Sequence, residues 1–150
     1  MRAGTENVAG LVGFGAAAAM AGALIPEETR RLRDLRDRLH RRLSALIPDL
    51  RLNRHPEQRL PNTLNVSFPH ALGQAVLAGA PEVAASTGAA CHSGMTEPSS
   101  VLMAMGFSRE RALGAVRLSL GRYSTADDME RAASALAAAH QALAPGPILR

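Results

Sequence analysis

Lysine is absent: all 17 basic residues of this sequence are arginine. Schiff-base formation on a side chain is therefore excluded, because a guanidinium stays protonated and is a poor nucleophile. Tryptophan is missing too, and aromatic residues make up 3% of the chain, so the core must come from Ala, Leu, Val and Met. The single cysteine, Cys91, excludes an internal disulfide and suits a reducing, cytoplasmic setting, with an intermolecular bridge left open. His40, His55, His70, His92 and His140 show no ligand spacing, and no metal site is expected. A signal peptide is not expected, since Arg2 is the only cation near the amino-terminal apolar run and Glu6 lies between them. That run, Val8 to Ile25, is rich in Ala and Gly and reads as a poor membrane former, so no membrane partner is expected.

What is present describes one folded domain or part of a larger one. The 150 residues are 47% hydrophobic and 20% charged, with a net charge of +4, a globular balance. An Ala/Gly-rich helix is expected from Val8, with Pro26 interrupting it. Glu27 and Glu28 would then sit in the first turn of a second helix, where carboxylates suit the macrodipole. Leu32, Leu35, Leu39, Leu43 and Leu46 follow at helical spacing, with arginines on the opposite face.

Alternation predicts strands at Leu50 to Asn53, Asn62 to Phe68, Val83 to Ser86 and Ala115 to Gly121. Short helices are expected at Gly73 to Gly79, from Pro98 to a Gly106 stop, and at Ser108 to Leu113. A longer one over Thr125 to Leu143 opens on a Thr125/Asp128 capping pair and presents Met129, Ala133, Leu136, Ala137 and His140 on one face. The fold class is α+β: long helices, then a small sheet with helices packed on it. Residues 144–150 read as a frayed tail.

The chemistry concentrates in "STGAACHSGMTEPSSV" (Ser86 to Val101), where the one thiol lies among small loop residues instead of large apolar neighbours. A mobile thiol can meet a bound substrate as nucleophile or acceptor, provided it ionises. His92 adjoins it in sequence, which does not by itself place the imidazole on the sulfur. Arg117, inside the apolar strand "AVRLSLGR", suits either bidentate recognition of a carboxylate or phosphate or a structural salt bridge. "GTEN" (Gly4 to Asn7) reads either as an anion cradle at a helix start or as a plain N-cap. The arginines of "RRLRDLRDRLHRR" (Arg30 to Arg42) are interleaved with Asp34 and Asp37, and stacking groups are scarce; a solvated face is expected there, not a nucleic-acid partner.

Together, "RAGTEN" at Arg2, "LPNTLNVSF" at Leu60, "GAACHSGMTEPSSVLMAMG" at Gly88 and "VRLSLGRYST" at Val116 resemble the pyridoxal-phosphate-dependent cysteine desulfurases and selenocysteine lyases, in order and spacing, over residues 2–143. These are class V relatives of the fold-type I aminotransferases. The resemblance implies that residues 1–25 cross over from a large cofactor-binding domain and that residues 26–143 form the small C-terminal domain. It implies that Cys91 takes sulfur from L-cysteine as a persulfide, or assists selenium release from L-selenocysteine, leaving alanine. It implies that Arg117 clamps the substrate carboxylate and that Thr5 reaches the phosphate of pyridoxal phosphate in the neighbouring subunit of a homodimer. A protein that receives the sulfur is a further implied partner. The long loop after Cys91 is similar to the desulfurases, whereas "GAACHS" is similar to the lyases, so the cargo stays open.

The family holds its cofactor on a lysine, and none exists here. The expectation is a chain inactive alone, truncated at Met1 or working with a lysine-bearing partner half. The alternative is a non-catalytic relic that dimerises with relatives or carries sulfur on Cys91.

Overall fold

One helix, α1 (Val8–Leu46, 39 residues), stands where two were expected. Pro26 removes a single ladder hydrogen bond and crowds the carbonyl of residue 22. That residue is Gly22, with open space around it, and the exposed carbonyl can turn to water without breaking the helix. The computed structural model describes residues 4–55, 57–88 and 97–143. Cys91, His92, Arg2 and the tail from residue 144 lie outside them.

Every residue from Val8 to Glu27 is exposed. An 18-residue window of α1 reaches a mean hydropathy of 2.0, so by length and composition alone this helix is apolar enough to cross a membrane. Its reading as a poor membrane former understated that value, because alanine counts as apolar while offering little area.

The second half of α1 packs its leucine stripe, Leu39 and Leu43 fully buried, on α5 (Ala126–Leu143) through Met129, Ala133, Leu136 and Ala137. Arg30, Arg33, Arg38, Arg41 and Arg42 form the expected solvated face, and Arg31 and Arg36 depart from it. Arg31 pairs with Glu28 at 3.0 Å and donates to the carbonyls of Gly121, Arg122 and Ser124. Arg38 and Arg42 reach Glu130 on α5. Arg36 is buried at 3% exposure, bonding Asp37 and the Leu60 carbonyl. Ion pairs and carbonyls thus engage Arg31, Arg36, Arg38 and Arg42.

The sheet is antiparallel, ordered β1 (Arg51–Leu52), β2 (Thr63–Ser67), β3 (Ala115–Ser119). Leu64 pairs with Leu118 and Val66 with Val116, and these four turn inward onto α1 and α5 as alternation requires. Asn65 pairs with Arg117 on the outer face. The expected strand at Val83 to Ser86 contracts to one bridge, Ser86 to Arg117.

Short helices α2 (Gly73–Ala78), α3 (Ser100–Ala104) and α4 (Arg109–Leu113) complete the unit. Ser99 occupies the N-cap position of α3 without a side-chain capping bond, so Pro98 precedes the helix instead of entering its first turn, and Gly106 follows the helix at φ +82°. Gly114, between α4 and β3, has no room for a side chain: a Cβ there would lie 2.5 Å from the Phe68 carbonyl oxygen.

The capping pair forms as expected. Thr125 Oγ accepts from the Asp128 N–H at 3.2 Å, and Asp128 Oδ2 accepts from the Thr125 N–H at 2.9 Å. The Thr125 hydroxyl, then Arg131, hold the Asp128 carboxyl down from 3.8 to about 2. A depressed carboxyl stabilises the fold fully above its unfolded value and loses that contribution as pH falls towards 2. The wild-type melting temperature is therefore expected to drop more steeply than that of Asp128→Asn between pH 4 and 2. Thermal melts by circular dichroism at stepped pH would read this, and parallel curves would count against it.

Candidate functional site

Four residues form one row across the outer face of the sheet: Asn53 beyond β1, Asn65 on β2, Arg117 on β3 and Ser86 beside β3. The Asn53 N–H donates to the Asn65 carbonyl at 2.9 Å, Asn65 is the register partner of Arg117, and Arg117 exchanges both backbone bonds with Ser86 at 3.1 and 2.7 Å. All four line a cleft of about 990 Å³. Its other walls come from Arg54, His55 and Gln58 on the β1–β2 connection, from Gln74 and Leu77 on α2, and from Val101, Leu102 and Met105 around α3.

Arg117 is exposed. Among the described residues no carboxylate lies within 4.0 Å of its guanidinium. Of the two readings its sequence allowed, recognition of an outside anion fits that arrangement. Burying or pairing the group would have spent its donors internally.

The cysteine loop begins and ends at this cleft. Ser86 Oγ donates to the Gly88 carbonyl at 2.8 Å and accepts from the Gly88 N–H at 3.3 Å, a tight local turn. Gly88 and Glu97, the described residues on either side of the thiol-bearing segment, both line the cleft with Arg117. Cys91 itself lies outside the described residues.

Thr5 is exposed and precedes α1, with no hydrogen bond to its hydroxyl among the described residues. The cap is Asn7, whose Oδ1 accepts from the Gly10 N–H at 3.0 Å. Thr5 is thus free of the capping duty that the alternative reading of "GTEN" gave the segment. Thr5 does not line the cleft that holds Arg117.

On the opposite wall, His55 Nδ1 accepts from the Glu57 and Gln58 N–H groups at 3.1 and 2.9 Å. A ring nitrogen that accepts leaves the proton on Nε2, which makes neutral His55 a donor at its free end. Arg59 anchors the same connection through Asp37 at 2.9 Å, although its Nε and Nη1 find no partner among the described residues. Burial, then Arg36, push the Arg59 guanidinium below its usual value. Nearby His40 is also held down, by burial first and then by Arg59.

Sequence reasoning missed the asparagines. Asn53 is fully buried, with its amide linked to Asn65, Ser67 and Arg111. The available signal was Asn65 at an interior position of the predicted strand Asn62 to Phe68, where the residue is disfavoured and needs a reason.

A family model described as aminotransferase class-V matches residues 1–132. The chain belongs to the class-V aminotransferase family. It is 49% identical to the cysteine desulfurase IscS of Methanosarcina thermophila over 132 residues, covering 87% of this chain and 32% of that protein. With the cysteine desulfurase NifS of Azotobacter vinelandii it shares 42% identity, covering 87% of this chain and 33% of that protein. The solved NifS-like protein of Rickettsia africae superposes with a TM-score of 0.78 at 30% identity, over 93% of this chain and 36% of that one. The chain thus spans about a third of the length of the curated relatives it matches, and the α+β class expected from the sequence agrees with these neighbours.

Class-V aminotransferases depend on pyridoxal phosphate in general. With no lysine among the 150 residues, no side chain here fits the carbonyl end of that cofactor, and no step at that end belongs to this chain.

Proposed function

We propose that this chain is the substrate-clamping, sulfur-accepting portion of a cytoplasmic, homodimeric cysteine desulfurase, completed by a lysine-bearing portion that holds pyridoxal phosphate. The supporting observation is the double backbone bond between Arg117 and Ser86, which ties the carboxylate clamp to the start of the cysteine loop. Arg117 would hold the α-carboxylate of L-cysteine by two parallel charge-assisted bonds. The Cys91 thiolate would attack the substrate sulfur: an S–S bond forms, the Cβ–S bond breaks, and its electron pair stays on carbon. That carbon takes a proton to become the methyl group of alanine, and Cys91 keeps the persulfide. No outside oxidant or reductant enters. Thr5 would offer its hydroxyl to the cofactor phosphate of the neighbouring subunit, and the exposed half of α1 would rest on the cofactor-binding portion instead of a membrane.

The absence of lysine favours one second reading, a sulfur carrier or dimerising relic without catalysis. Mixing the chain with the lysine-bearing portion of a class-V relative separates the two. Restored alanine release from cysteine supports the desulfurase, and binding without alanine release supports the carrier. In the active mixture, Arg117→Ala should raise KM for cysteine by roughly thirtyfold, the equivalent of about 2 kcal/mol for lost bonds to a charged group. An unchanged KM would remove the clamp.

A further inference from the structure

We infer that Asn65 is a second substrate-carboxylate donor, held with its amide nitrogen towards the cleft by Asn53 and Arg111. The inference rests on the reading of Arg117 as the carboxylate clamp and extends it to the neighbouring strand.

The direction of each amide follows from one end of the network. A guanidinium has donors and no acceptor. Arg111 Nη2 donates to the Leu52 carbonyl at 2.7 Å, and its Nε donates to Asn53 Oδ1 at 2.8 Å. Phe107 stacks beneath the guanidinium at 4.1 Å and holds it in place. The oxygen of Asn53 therefore faces Arg111, and its NH₂ faces the other way. That nitrogen donates to Asn65 Oδ1 at 2.8 Å and to Ser67 Oγ at 2.7 Å. Ser67 can accept there because its own proton goes to the Arg111 carbonyl at 2.6 Å. With its oxygen taken by Asn53, Asn65 has only its two N–H donors left to present, and they have no partner among the described residues.

Those donors stand beside Arg117, the cross-strand partner of Asn65, at a side-chain spacing of about 5 Å for directly opposed residues. Both residues line the cleft. A freely turning asparagine would offer its oxygen to Arg117 and occupy the guanidinium. The Arg111 relay forbids that turn. Two donor-only groups side by side then leave a place that an acceptor from outside completes, and a carboxylate has lone pairs for both. Asn65 is thus a binding residue, whereas Asn53 and Arg111 are positioning residues that act through it.

The full 150-residue chain, labelled with ¹⁵N, would be titrated with L-alanine, the amino acid the reaction releases. Saturable shifts of the Asn65 side-chain amide and of the Arg117 Nε–H are expected, both lost in Arg117→Ala. Asn65→Asp, at a half-buried position, should weaken alanine binding by about tenfold or more. Asn53→Asp is the discriminating variant: its carboxylate keeps Arg111 but demands a donor, so the untouched Asn65 turns its oxygen to the cleft. A comparable loss of binding is expected, with the melting temperature measured alongside. Arg117 shifts without movement of the Asn65 amide would overturn the inference and leave the clamp standing, as would wild-type binding by a folded Asn53→Asp. No shift at either residue would overturn the clamp as well.

Discussion

Cys91→Ser is expected to reduce persulfide formation, in a mixture with the lysine-bearing portion, to the level of a blank lacking this chain. A serine hydroxyl keeps the size of the thiol but is not ionised near neutral pH and cannot carry a sulfane sulfur. The substitution leaves Arg117, Asn65 and the cleft untouched, so cysteine should still bind with its ordinary KM while turnover collapses. Trapping the persulfide with an alkylating reagent and locating it by mass spectrometry reads the step directly. Persulfide on a Cys91→Ser chain would transfer the acceptor role to another group, and with no second cysteine in the sequence that group would have to lie in the partner portion.

Leu43→Ala should produce the largest loss of stability. Leu43 is fully buried between α1 and α5, with neighbours Leu39, Ile47, Leu136 and Val66 in the same core. Truncation loses transfer free energy and leaves a cavity that helix packing fills only partly, at about 3 kcal/mol or more. For a domain of this size that corresponds to a fall in melting temperature of roughly 10 °C. Chemical denaturation should show a lower midpoint with an unchanged slope. Leu11→Ala, on the exposed half of α1, is the matched control; an equal loss there would mean that the free half is packed in solution.

The elements of the fold were legible because each rests on a local pattern. Alternation in "NTLNVSF" and "AVRLSLG" found the two five-residue strands, β2 and β3, and the Thr125/Asp128 pair found the start of α5. Errors arose where tertiary context decides. Pro26 is a breaker by local rules, yet a glycine four residues earlier and open solvent let α1 continue. Arg31 and Arg36 looked like a solvated stripe, because helical spacing gives a face and not what comes to lie against it. Carbonyls from the β3–α5 turn and from Leu60 complete them. Arg117 was visible as an anomaly within an apolar strand. Asn65 was not, because its meaning depends on Arg111, which lies in a helix far along the chain and fixes an amide through a third residue.

At about 1.5 Å per residue, α1 is a rod of about 58 Å. The core grips only its carboxy-terminal half, and the other half projects as a handle. Whatever seats that handle steers the whole sheet as a lever steers a rudder, and the aim of Arg117 is set by contacts that the cleft never touches. Small errors in the docking of the handle would be magnified at the cleft, so tolerance to substitution along the exposed half of α1 should be narrower than its lack of neighbours suggests.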